Sequence, residues 1–244
     1  MNDVRPPRQR RSQETLTRFL EAAQSLLEEK QFDNMSVSEV VQRAGSSVGA
    51  FYSRFGDKEA LLACLRDTVT RESAEEIHRF GASAHWETAP LDRIVTEFVR
   101  ILVRQHRRHR GTLRALVGRS IAGKSGIDAP ARDPVSGTPA GDPGSGTPAA
   151  DRGARNLGGL KMLSPMSFAE LVANRRSEIT HPSPELAVHL GLAMVAGAVR
   201  ERILFPELSP RSESSIHVTD AVLVEELSRA FLGFLGVKAG RRSE

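Results

Sequence analysis

Residues 35–62 read MSVSEVVQRAGSSVGAFYSRFGDKEALL. Ser36 and Glu39 form an S-x-x-E capping box: the serine hydroxyl accepts from a free helix N–H, and the glutamate reaches back to the cap. A helix therefore starts at Val37. Val37, Val40, Val41 and Ala44 recur at helical spacing, and Gly45 supplies the left-handed conformation that ends a helix in the fewest residues. A second helix opens at Ser46 or Ser47. Its Val48, Phe51 and Phe55 suit a small core, while Ser47, Ala50, Tyr52, Ser53 and Arg54 are small or polar and suit a groove. Asp57 caps a further helix starting at Lys58. Two short helices, a tight turn and a third helix start are the layout of a DNA-reading helix-turn-helix.

Outward from this stretch the chain reads as helical. Leu16, Phe19, Leu20, Ala23, Leu26 and Leu27 mark an amphipathic helix ending near Lys30, suited to brace the reading head. The helix from Lys58 to about Phe80 is longer than the head needs and is a candidate connector. Leu91 to His106 carries a wide apolar face, and a helix is expected over Thr112 to Ser120. Residues 126–153 hold eleven Gly or Pro in 28 positions, with 133–140 echoed by 142–149. Such a composition buries too little apolar area to offset chain entropy and predicts a disordered internal loop. Beyond it, Ser167 and Glu170 form another possible capping box. Ser183-Pro184-Glu185 offers a cap, a proline at the first helical position and an acid at the positive helix end. That helix should reach about Phe205, and a last one should span about Thr219 to Gly236. Both are apolar on two sides, as helices that meet a partner subunit are.

Charge and composition bound the function. The net charge is +4 over 244 residues, and its distribution says more than its total. Arg5, Arg8, Arg10 and Arg11 face one acid, Asp3, in a basic arm suited to phosphates or a minor groove. Between Arg100 and Arg132 stand nine Lys or Arg residues against Asp128 alone; a solvated face or an anion-attracting rim is the reading. The lone Cys64 cannot form an internal disulfide, fits a reducing cytoplasm, and reads as a small hydrophobe. The longest apolar run, 190–199, is well short of the ~20 residues that span a bilayer, and the first 18 residues hold no apolar signal core. No Gly-rich phosphate loop, metal quartet or Ser-centred elbow appears, so no catalytic residue, metal or cofactor is expected. His106 and His109 share a helix face beside arginines, which reads as solvated and basic.

Residues 44–62, AGSSVGAFYSRFGDKEALL, resemble the signature of the tetracycline-repressor (TetR) family of bacterial regulators: a Gly-containing recognition helix, then Tyr-x-x-Phe, then a Ser/Asp-Lys-Glu helix start. With the helix before it the resemblance covers about residues 10–66. Ala50 departs from the pattern, where a hydroxyl residue is common. The resemblance implies an all-α fold: an N-terminal three-helix helix-turn-helix DNA-binding domain over 1–66, and a C-terminal helical ligand-binding and dimerisation domain over 67–240. The expected partners are a palindromic DNA operator, a second copy of the chain and an unknown small-molecule effector, in the bacterial cytoplasm with no membrane. DNA contacts are expected from Ser36, Ser46, Ser47, Val48, Ala50, Tyr52, Ser53, Arg54 and Lys58, with Arg10 and Arg11 from the arm; for Tyr52 a core role is the alternative. Trp86, Phe98, Leu102, Leu116, Phe168, Leu171 and Met194 are candidates to line a pocket. Leu190, Ala193, Gly197, Leu227, Phe231 and Phe234 are candidates for the dimer interface. The expected function is a ligand-released repressor; an activator or an architectural DNA binder without ligand is the alternative.

Overall fold

The computed structural model describes residues 8–121, 168, 172, 174–208 and 218–237. Among them are eight α-helices and no strand: α1 (Arg8–Glu29), α2 (Val37–Arg43), α3 (Val48–Tyr52), α4 (Lys58–Gly81), α5 (Leu91–Arg108), α6 (Arg110–Ile121), α7 (Pro184–Leu204) and α8 (Asp220–Leu235). The expected loop at 126–153, the second capping box at Ser167 and Glu170, and Leu171 lie outside the described residues. The described residues form two compact units. One holds those up to Arg71 together with the segment from Gly111, and the other holds Glu72–Arg110 with the described residues from Phe168 onward.

In the first unit, α1 begins eight residues before its first apolar position. Arg8 to Thr15 contains no glycine or proline, and Arg, Gln and Glu are good helix formers. Hydrophobic periodicity cannot register a helix start that has no apolar residue, and the backbone at Arg8, Arg10 and Arg11 is helical. Further along, Phe19, Ala23, Leu26 and Leu27 are buried against α2, α3 and α4. Phe19 sits edge-on to Phe51 and Phe55, with ring centroids 5.7 and 5.9 Å apart, and Met35, Leu61, Leu62 and Leu65 close the core.

The same unit holds α6. Gly111 lies so near the end of α1 that an added Cβ would stand 2.5 Å from the Leu27 carbonyl carbon and 2.8 Å from the Glu28 nitrogen. Its own N–H donates to Glu28 Oε1 at 2.6 Å. One turn on, Ala115 and Leu116 join the core of α1 to α4, and Arg119 pairs with Asp33 and Glu59. Leu116, expected in a pocket beyond residue 66, thus packs against the reading head.

In the second unit, α5 is buried on most of its circumference, from Leu91 through Phe98 and Leu102 to His106. It lies against α7 and α8. Phe98 stacks on Phe168 with centroids 4.1 Å apart, and Phe168 meets Phe231 of α8 at 6.2 Å. The start of α7 has the expected Pro184 and Glu185, but Ser183 makes no side-chain cap; its N–H donates instead to His181 Nδ1 at 3.1 Å. Thr219 does cap α8 through Val222 N–H, and Gly236 ends it in the left-handed conformation, φ +72°. No described helix is long and apolar enough to cross a membrane.

Candidate nucleic-acid interface

Helices α2 and α3 are joined at Gly45, whose φ of +56° only glycine adopts without strain. The Ser46 N–H donates back to Val41 O at 3.1 Å and closes the turn. The capping box forms as read: Ser36 Oγ accepts from Glu39 N–H at 3.2 Å, and Glu39 Oε2 accepts from Ser36 N–H at 2.9 Å. Lys30 holds the same carboxylate. The Lys30 ammonium, then the Ser36 N–H and hydroxyl, bring the Glu39 carboxyl down to about 2. Ser47 caps α3, accepting from Ala50 N–H at 3.1 Å, while the Ser53 hydroxyl donates to Ala50 O at 3.0 Å.

Val48 and Tyr52, one turn apart on α3, are 49% and 55% exposed. The sequence assigned Val48 both to core and to groove; the core closes with Phe51 and Phe55 alone. Tyr52 likewise stands outside it, with its ring edge-on to that of Phe51 at 5.3 Å. Ser46 and Ala50 are half-buried, and Ser36, Ser47 and Ser53 are exposed.

The cations of the head are held from within. Lys58, expected at a phosphate, turns its Nζ to the carbonyl oxygens of Phe32, Asp33 and Met35 at 3.3, 3.3 and 3.4 Å, and lies over the Phe32 ring. Arg54 Nη2 donates to the carbonyl and hydroxyl oxygens of Ser12, both at 2.9 Å. Arg43 is paired with Glu29 and bonded to Ser25, and Arg18 reaches the Gly45 carbonyl at 3.4 Å. The sequence missed these braces because they join residues 14 to 42 positions apart, where local spacing carries no signal. Arg11, exposed in the first turns of α1, is placed otherwise.

Of the arginine-rich block, Lys124 and Arg132 lie outside the described residues, and most of the described arginines are partnered. Arg100 pairs with Glu97, Arg104 with Glu76, Arg107 with Asp220 and Arg108 with Glu72. Acids brought in by other turns and helices neutralise what looked like a basic stripe. His106 and His109, read as solvated, are 2% and 4% exposed. His106 Nδ1 lies 2.8 Å from Leu102 O, and burial lowers its pKa below the usual histidine value, with Arg200 and His109 adding to the effect. His109 Nε2 faces Glu72 at 3.5 Å. Cys64 is half-buried at the edge of the head core, and burial raises its thiol pKa.

Of the pocket candidates, Phe98, Leu102 and Phe168 are buried in the second unit. Trp86 is half-buried and joins them through Phe80, whose ring lies 4.8 Å from Trp86 and 6.4 Å from Phe98. Met194 does not join them: it is 52% exposed on α7, in line with Leu186 and Leu190, also exposed. Among the interface candidates, Leu190 and Ala193 are exposed, and Gly197, Leu227 and Phe234 are half-buried. Phe231 is fully buried beneath Gly191, where a Cβ would strike its ring. It belongs to the core of the second unit.

This arrangement, a capped pair of short helices presenting an exposed second helix from a braced core, defines a helix-turn-helix protein. The domain described as "Bacterial regulatory proteins, tetR family" matches residues 19–65. Over 60 residues the chain is 32% identical to an uncharacterized HTH-type transcriptional regulator, YvdT, of Bacillus subtilis; the match spans 25% of this chain and 31% of that protein. Solved structures extend the likeness of fold. A TetR-family protein from Mesorhizobium loti superposes with a TM-score of 0.62 at 16% identity, over 93% of this chain and 97% of its own. Salmonella enterica GusR does so at 0.55 and 17%, over 96% and 100%, and Thermus thermophilus PfmR at 0.55 and 14%, over 91% and 100%. Residues 19–65 thus carry the DNA-binding helix-turn-helix of TetR-family regulators, the chain spans about a third of the length of the curated relative it matches, and its helical fold is that of the TetR-family structures.

Proposed function

We propose that the chain is a homodimeric repressor that binds a palindromic operator and leaves it when a small molecule occupies the second unit. The observation that carries the reading is the exposed apolar stripe Leu186, Leu190 and Met194 on α7. These residues repeat every four positions and form one helix face, which a monomer leaves wet and a second copy covers. Ala193 and Gly197 beside it are small, and a Cβ at Gly197 would meet nothing within 4 Å, so a partner helix has room to approach. A two-fold axis then presents two copies of α3 to successive major grooves about 34–36 Å apart.

Phosphate contacts belong to Tyr52 and to the start of α1. Arg8, Arg10 and Arg11 stand at the positive end of that helix dipole with no acid in its first turn, an unfavourable placement that an anion facing it reverses. For the effector, the chain of rings from Trp86 through Phe80 and Phe98 to Phe168 supports an apolar, partly aromatic ligand. Trp86 Nε1–H is buried with no acceptor among the described residues, a donor that a ligand oxygen would satisfy. The site of action is the bacterial cytoplasm, where the operator is.

Light scattering of the purified chain and site selection from a random DNA pool test the reading together. A dimer that enriches an inverted repeat is the expected result. A monomer, or a dimer that enriches nothing and shows only a steep salt dependence, favours the architectural binder instead.

A further inference from the structure

We infer that Val48 sets the base preference of the operator by packing its methyls against the 5-methyl group of a thymine, so that each half-site carries a thymine opposite it. The inference rests on the helix-turn-helix reading above and adds what that helix recognises.

Three observations lead to it. The first is what α3 lacks. Guanine is read by a free Arg or Lys, adenine by Asn or Gln, and cytosine by an acid. The segment from Ser46 to Ser53 contains none of these residues, and the two cations that follow are spent on Ser12 and on the carbonyls of Phe32, Asp33 and Met35. The second is what α3 has already used. Ser47 Oγ accepts from Ala50 N–H and the Ser53 hydroxyl donates to Ala50 O, so each exposed serine gives part of its capacity to the helix backbone: Ser47 keeps its donor and Ser53 its lone pairs, neither a bidentate base reader. The third is what stands free. Val48 is 49% exposed although the core lies directly beneath α3, and its neighbour Gly49 has no side chain and open space around it.

An apolar side chain carried into a major groove meets one apolar group there, the thymine methyl. Gly49 lets the backbone beside Val48 approach the base edges closely, which a methyl contact requires. Tyr52, one turn on, has a hydroxyl for phosphate and leaves the base edge to Val48.

The test uses the full-length protein and the DNA site it selects from a random pool. Each thymidine of that site is replaced in turn by deoxyuridine, which removes only the methyl group, and affinity is measured for wild type and for Val48→Ala. In wild type, one position per half-site should lose about four-fold, the value of one buried methyl. In Val48→Ala the same replacement should be silent. Because Val48 is half exposed, the variant should keep the helical content and Tm of wild type, which verifies that the head is intact. A half-site without thymine, a wild type indifferent to deoxyuridine at every position, or a penalty undiminished in Val48→Ala overturns the inference while leaving the operator reading in place. A pool in which no site is enriched overturns the operator reading itself, and this inference with it.

Discussion

Lys58 shows how a side chain of the right type in the right motif acquires a different task. Its sequence position, beside the exposed N–H groups of a helix start, suits an anion. In the folded chain three carbonyl oxygens of the 32–35 turn and the Phe32 ring lie nearer. Lys58→Met should therefore lower stability to urea by about 1–2 kcal/mol, the range for a few hydrogen bonds to a partly exposed charge. The slope of log affinity against log salt should stay as in wild type. A flattened slope with unchanged stability would restore the phosphate role. Glu39 offers a pH test at the same scale. Its carboxyl is ordinary at 4.5 in the unfolded chain and falls to about 2 in the fold. Its contribution is thus complete above pH 4.5 and lost as pH falls toward 2. Stability of Glu39→Gln, followed by circular dichroism, should vary less with pH across that interval than wild type.

At the scale of the helix, Gly111 is decisive. A glycine at the second position of α6 looks like a mild propensity defect, yet it is the point at which α6 meets the backbone of α1. The neighbours of an added Cβ would be main-chain atoms of Leu27 and Glu28, which cannot swing aside as a side chain does. Gly111→Ala should destabilise the protein by about 1–3 kcal/mol, the usual cost of overpacking, read as a fall in Tm. Gly118, on the same helix with open space around it, is the control: Gly118→Ala should leave Tm unchanged or raised. Helix starts were the least legible elements in the sequence. That of α1 had no signal because Arg8 to Thr15 contains no apolar residue, and Ser183 was credited with a cap that it does not make. The start with a reciprocal side-chain signature among the described residues, Ser36 with Glu39, was placed to the residue.

For the molecule as a whole, the stripe on α7 makes oligomeric state the quantity to measure. Leu190→Glu puts a charge on the proposed two-fold face without touching the core, since Leu190 is exposed in the single chain. We expect a monomer by light scattering with undiminished helical signal, and a large loss of affinity for the selected operator, because one head alone grips one half-site. A dimer that survives Leu190→Glu would place the interface elsewhere. The same stripe explains Met194: at the sequence level a methionine among apolar residues suits a pocket as well as a surface. Only the direction in which α7 faces distinguishes the two.

The sequence by itself determined the helices with strong periodicity, the turn at Gly45, the capping box and the resemblance of residues 44–62, because each of these depends on residues within a turn or two of one another. The tertiary structure alone decided which polar groups are spent. It turned Lys58 and Arg54 inward, paired Arg100, Arg104, Arg107 and Arg108 of α5 with acids, buried His106 and His109, and left Val48 in the open. Those outcomes depend on partners tens of residues away, and the burial or pairing of a charge is settled by whatever the fold brings beside it.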